Sequence, residues 1–413
     1  MKRFLKLFGI FLGVAIVVLG IVIGLSWEAV KTTFNNRQGL AEGSEWVEKT
    51  YSLKGLSEFI GSHPGNVSIV SYTLDEPDSG IYYQPDTQRT MGGLMSLLYI
   101  IEYVRQVDSG TLNPEAPISL SVFDNYDLPD VKEGVHQDVN EFWEDSGWIK
   151  GKKIKLKYLA RTLAEYNDPL LNDYFYYKLG AGNLRQLYET LNLTHTTPPL
   201  PYVGYFITIN PALSNTSAKE HLDSLRKLSR NEFERTVRNN ADRYINNTRY
   251  RSQVRNQFRR NGLPLSFIQQ REFNKLLPHT TAREMTSIME ALVRGKLFTY
   301  KDLEQTIRGI LDWPMQNRQM TQDFITYGAI YDSRIGILNG VDFGVSDYTN
   351  RTYVQCVIFD KLPVGFWFHA SSNYMNQDFQ QRLIWDPALQ KAVRKEISDD
   401  NKVSHNTSNQ LHQ

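Results

Sequence analysis

The sequence holds a single cysteine, Cys356, among 413 residues. It can form no intramolecular disulfide, no thiolate zinc site and no lipid-bearing N-terminal cysteine. Excess charge of either sign is also missing. Lys and Arg number 46, Asp and Glu 45, and the formal net charge is +1. Taken whole, the chain has no electrostatic demand for nucleic acid. No Gly-rich phosphate loop and no Cys/His cluster occurs, so neither a nucleotide cofactor nor a bound metal is expected.

Two local absences are more informative. No charged side chain lies between Leu7 and Leu25. At 1.5 Å rise per residue this run spans roughly 28 Å, close to the hydrocarbon thickness of a bilayer. Lys2, Arg3 and Lys6 precede it and Trp27 follows. Basic residues favour the cytoplasmic side and Trp the interface, which predicts a single-pass membrane anchor with its N-terminus inside. A cleaved signal peptide is the rival reading, but Leu25-Ser26-Trp27 is a poor cleavage site. An exported domain without disulfides fits a bacterium with a single membrane and a thick wall. The second absence is of glycine and proline between 217 and 261, where Lys and Arg exceed Asp and Glu by seven. That stretch reads as one or two charged helices inserted into a globular frame.

The rest divides by periodicity. Residues 26–63 read as a polar, partly helical connector. Val67 to Thr73 alternates as a strand does, Asp75 to Gly80 supplies turn residues, and Ile81-Tyr82-Tyr83 begins a return strand. A helix is expected from Gly92 to Val107, ending at Asp108-Ser109-Gly110. Tyr158 to Leu179 is helical with a break at Asn167-Asp168-Pro169, where Asp168 suits an N-cap and Pro169 the first turn. Thr280 to Glu284 opens another helix. Phe324 to Tyr331, Val341 to Ser346 and Tyr353 to Phe359 read as strands, followed by a helix through Leu389, Val393 and Ile397. Residues 399–413 are polar and read as disordered. With early and late strands sharing one antiparallel sheet and helices between them, residues 64–398 form a two-lobed α+β domain.

That order of elements resembles the penicillin-recognising serine hydrolases, and class A β-lactamases among them. Thr90-Met91-Gly92-Gly93-Leu94-Met95-Ser96 stands where the family has its nucleophile helix, and Thr280 through Leu297 fits a late helix. The resemblance spans roughly residues 65–200 and 275–397. It implies a Ser nucleophile and a Lys one helical turn later, which takes or relays the hydroxyl proton. Here those positions are Gly93 and Ser96. The second motif of the family, Ser-Asp-Asn, falls on Tyr166-Asn167-Asp168, give or take a residue. The third, Lys-Thr-Gly, falls on Thr326-Tyr327-Gly328. The stretch that would carry the deacylating Glu, near Leu200-Pro201-Tyr202, offers no counterpart. The expectation is a fold kept after its chemistry was lost: a pseudoenzyme that binds a wall precursor or a partner in wall assembly.

Other readings compete with this one. Ser96 could be a displaced nucleophile in an active hydrolase or transpeptidase, although a small packing residue fits its apolar surroundings better. His279 could be a base, although a cap or surface role is commoner. Asp130, Glu133, His136, Asp138, Glu141 and Glu144 match no metal spacing and read as a solvated acidic face. Arg249, Arg251, Arg255, Arg259 and Arg260 offer planar forks suited to phosphate, so a scaffold binding anionic wall polymer or lipid headgroups is the third hypothesis.

Overall fold

The computed structural model describes residues 52–129, 131, 133–299, 301–317, 333–335, 340–345, 350–360, 362 and 375–410, with residues 36–38, 41 and 47 before them. The Leu7 to Leu25 segment lies outside the described residues. Among those described, no helix is long and apolar enough to cross a membrane.

The frame is one antiparallel sheet ordered β2-β1-β9-β8-β7. Its strands are β1 (Val67–Thr73), β2 (Glu76–Tyr83), β7 (Ser333–Ile335), β8 (Gly340–Val345) and β9 (Thr352–Phe359). The hairpin β1–β2 thus sits beside the last strand, in register Val67↔Phe359 to Thr73↔Tyr353. Early and late strands share one sheet, as the sequence order suggested. All seven residues of β1 are buried, because helices cover both faces. Val67 and Ile69 join Val357 and Phe359 on one side, and Val70 and Tyr72 join Val354, Cys356 and Ile358 on the other. That is period-two alternation with two dry faces.

The first face is covered by α1 (Leu53–Ser62), with Leu56, Phe59 and Ile60 fully buried. The connector expected over 26–63 is therefore part of the domain from residue 53. Its apolar stripe packs on the two last helices, whose range follows below. Ser52 caps it, accepting from Gly55 N at 3.1 Å.

On the other face α2 (Met95–Asp108) runs through the middle of the molecule, apolar round most of its circumference. A single 3-10 turn, Gly92–Leu94, leads into it. Gly110, at φ 73°, follows its end. Around it stand α3 (Glu133–Asp145), α4 (Leu156–Glu165), α5 (Pro169–Leu179) and α6 (Ala181–Thr190). Two short ladders complete the lobe, β4 (Pro117–Ser119) with β5 (Lys153–Lys155), and β3 (Arg89–Thr90) with β6 (His279–Thr280). The predicted break between α4 and α5 is present. Asp168 Oδ1 accepts from Leu170 N at 3.1 Å, and Pro169 occupies the first turn.

Residues 202–274 form the second lobe: α7 (Tyr202–Ile209), α8 (Ala218–Arg226), α9 (Arg230–Asn246), α10 (Thr248–Asn261) and α11 (Phe267–Asn274). The basic stretch makes three helices, where one or two were expected. Ser217 with Glu220 and Ser229 with Glu232 form capping boxes, and Asn247 accepts from Tyr250 N. Each cap restarts the helix without glycine or proline. Phe233, Val237, Ala241 and Tyr244 put an apolar stripe of α9 against α7. A Cβ on Gly204 would collide with the Val237 carbonyl and with Ala241 Cβ, so a glycine is required at this crossing.

The chain closes through α12 (Ala282–Val293), α13 (Lys301–Leu311), α14 (Met375–Trp385) and α15 (Pro387–Gln410). Leu389 and Val393 of α15, with Phe379 and Leu383 of α14, complete the core under α1. The disordered tail expected from residue 399 is instead helix as far as Gln410. No glycine or proline follows Pro387 to stop it.

Candidate functional site

Gly93 lies in the 3-10 turn before α2. A Cβ placed on it would meet Asn167 Cγ at 3.5 Å and Nδ2 at 3.7 Å. Asn167, from the break between α4 and α5, is therefore the residue that faces Gly93. Tyr166 turns elsewhere and packs beside Phe142, with ring centroids 5.5 Å apart. Asn167 Oδ1 receives Asn172 Nδ2 at 3.3 Å. Ser96, the second residue of α2, is 2% exposed. Its Oγ has no hydrogen-bond partner among the described residues. Beside Gly93 stands the amide of Asn167. Neither position expected to carry the reacting Ser and Lys has the side chain for it.

Asp168 is fully buried and does two jobs. Oδ1 caps α5, and Oδ2 lies 2.6 Å from His136 Nδ1. The ring nitrogen faces the carboxylate oxygen as its hydrogen-bond partner. His136 lines a cavity of about 590 Å³ with Phe123, Asp124, Asp127, Glu141 and Glu144. Part of the acidic face read from the sequence therefore lines a hollow. Among the described residues no three of His, Cys, Asp and Glu gather as metal ligands would. The His136–Asp168 pair was missed because its members are 32 residues apart and belong to no local pattern. His279, weighed as a base, lies in β6 opposite Thr90.

Asp173 anchors the start of α7. Its carboxylate accepts from Tyr202 N at 2.5 Å and Val203 N at 2.7 Å. Burial pushes it up to about 8, against the pull of those two amides.

The chain is similar to class A β-lactamases of known structure. A β-lactamase of Sphaerobacter thermophilus matches at 12% identity and TM-score 0.47, over 81% of this chain and 96% of that one. One of Chitinophaga pinensis matches at 11% and 0.44, over 81% and 99%. PBP-A, a structure of which is an acyl-enzyme complex with penicillin G, matches at 12% and 0.41, over 79% and 96%. No protein-family model matches the chain. No curated protein matches it either. Thr326, Tyr327 and Gly328, the positions expected to match the third motif, lie outside the described residues.

The five arginines singled out in the insert separate into two groups. Arg255 pairs with Asp127 at 2.7 Å, and Arg251 donates to Asn125 Oδ1 at 2.7 Å and to the Ile245 carbonyl at 3.1 Å. These two tie α10 to the segment before α3. Arg249, Arg259 and Arg260 are exposed. Only these three remain available to an anion.

Proposed function

We propose that this is a membrane-anchored, extracytoplasmic binding protein on a β-lactamase-like frame, acting without acyl chemistry in cell-wall (peptidoglycan) assembly or regulation. The observation that supports it most is the pairing of Gly93 with Asn167. A residue without a side chain stands where attack would begin, and the next turn carries a buried serine in place of an amine. Acyl transfer needs an activated oxygen, a group to take its proton and oxyanion donors. Loss of one member of such a set costs orders of magnitude, and here two are replaced together. The half-buried amide of Asn167 retains hydrogen-bonding capacity toward a ligand.

The test uses the full-length chain purified in detergent and incubated with a labelled penicillin. No covalent adduct by intact mass and no hydrolysis above buffer are expected. A stoichiometric adduct on any serine would overturn the reading in favour of an active hydrolase or transpeptidase. Gly93→Ser alone should remain inert for want of a base. Serine fits there, since its Cβ would make ordinary contact with Asn167 at 3.5 Å. Gly93→Ser with Ser96→Lys is expected to acylate slowly, because a lysine in that dry site has its amine driven toward the neutral, basic form.

A second reading, binding of anionic wall polymer or lipid headgroups, is favoured by the exposure of Arg249, Arg259 and Arg260. It requires salt-sensitive binding to anionic liposomes or polymer that falls when these three become Gln.

A further inference from the structure

A second lysine-rich surface lies apart from the insert, on the turn between α3 and β5. Lys150, Lys152, Lys153 and Lys155 occur within six residues. Gly151 at φ 57° and Lys152 at φ 60° make the tight turn, closed by Lys150 N to Lys153 O at 2.9 Å and Lys153 N to Lys150 O at 3.2 Å. Lys155 is neutralised by Glu115 at 2.7 Å, and the same carboxylate takes Lys157 at 2.5 Å. Lys150, Lys152 and Lys153 are exposed. No acid pairs with them among the described residues. Three cations held on one turn repel each other, and an anion placed among them relieves that repulsion.

The turn does not merely face water. A cavity of about 320 Å³ is lined by Lys150, Lys153 and Lys155 together with Trp148, Ile154 and Tyr158. Trp148 stacks on Tyr158, with centroids 4.5 Å apart and planes 11° from parallel. Phe142 and Trp313 support Trp148 at 5.0 and 5.2 Å. The guanidinium of Arg161 lies 5.8 Å from the Trp313 ring and 6.0 Å from that of Tyr158. The aromatic wall is therefore locked before any ligand arrives, which lowers the entropic cost of binding. An apolar wall with a few convergent charges, in a hollow of this size, is the make-up of a small-ligand site.

We infer that this cavity binds a ring-sized anion, a sugar carrying a phosphate or a carboxylate, with its ring against the Trp148–Tyr158 wall and its charge between Lys150 and Lys153. The near-zero net charge of the chain disfavours the alternative occupant of a basic aromatic surface, a single-stranded nucleic acid. The site is independent of the cleft around Gly93, and its test is indifferent to acylation.

The test is calorimetric titration of the full-length chain in detergent with glucose 6-phosphate, glucuronate, glucose and inorganic phosphate. Glucose 6-phosphate or glucuronate should bind at least about tenfold more tightly than either glucose or phosphate. Which of the two binds better tells a phosphate source from a carboxylate source. Lys150→Gln with Lys153→Gln should weaken that binding about tenfold or more, and added salt should weaken it in the wild type. Trp148→Phe, which keeps an aromatic wall, should retain it. The inference is overturned if neither sugar anion binds by about 10 mM, if phosphate alone or neutral glucose binds as well, or if the double lysine variant binds unchanged. An oligonucleotide binding more tightly than either sugar would overturn the ligand class.

Discussion

Asp173 gives both carboxyl oxygens to backbone amides of α7 inside a fully buried site. Burial is the dominant influence and pushes it up to about 8, whereas an unfolded chain ionises an aspartate near 3.9. Between those values the folded state holds a proton that the unfolded state has released. Stability therefore falls as pH rises, by up to about 1.4 kcal/mol per pH unit for this one group. Asp173→Asn keeps one acceptor and cannot ionise. It should cost about 1–3 kcal/mol at acid pH, for the amide left without a partner. The loss should shrink as pH rises, because the wild type loses stability through this group and the variant does not. Urea unfolding of both proteins at about pH 5 and about pH 7.5 checks this, and parallel pH slopes would refute it. Nothing in the sequence marked Asp173, since its role depends on a helix about thirty residues later. Asp168 was legible by contrast, because an N-cap before proline is a local signal. Its second bond, to His136, was not.

At the scale of elements, charge counting revealed an excess in the insert but not its use. The stripe of Phe233, Val237, Ala241 and Tyr244 repeats with helical spacing, yet in the linear sequence it is diluted by arginines. Arg251 and Arg255 meet groups over a hundred residues away, which no local pattern records. Arg251→Gln with Arg255→Gln should destabilise the protein by about 1–2 kcal/mol, discounted for the partial exposure of the Arg255–Asp127 pair. Arg249→Gln, Arg259→Gln and Arg260→Gln together should stay within about 0.5 kcal/mol of wild type. Chemical unfolding curves separate the two sets. Equal losses would mean that the exposed three also hold the fold. Strands β1, β8 and β9 and the α2 helix were legible because their apolar spacing is regular, whereas β2 begins at Glu76, inside the stretch read as a turn, and β7 was not read. The Phe324 to Tyr331 strand expected from the same signal lies outside the described residues.

Across the whole molecule, the sheet joins the beginning of the domain to its end. β1 pairs with β9 and with its own hairpin partner, and the core on that face is closed by α1 from before the hairpin and by α14 and α15 from after it. Gly61 of α1 lies so near α15 that a Cβ there would come within 2.9 Å of Glu396 Cβ. A domain boundary drawn at residue 63 from polarity alone would cut this core, because the apolar residues of α1 are spaced along a mostly polar stretch. Phe59 is fully buried in it and stacks on His63 at 4.3 Å. Phe59→Ala should therefore cost about 3–5 kcal/mol, as for an aromatic removed from a packed interior. Lys54→Ala on the same helix, with a side chain 85% exposed and a loose 3.8 Å pair to Glu58, should change stability by under about 0.5 kcal/mol. Because contacts between α1, the sheet and α15 link distant parts of the sequence, the loss should appear as one cooperative transition at lower denaturant with an unchanged slope. A separate early transition in Phe59→Ala, with the rest of the curve unmoved, would mean that α1 is an appended connector after all. If instead the whole curve shifts, α1 is part of the cooperative core.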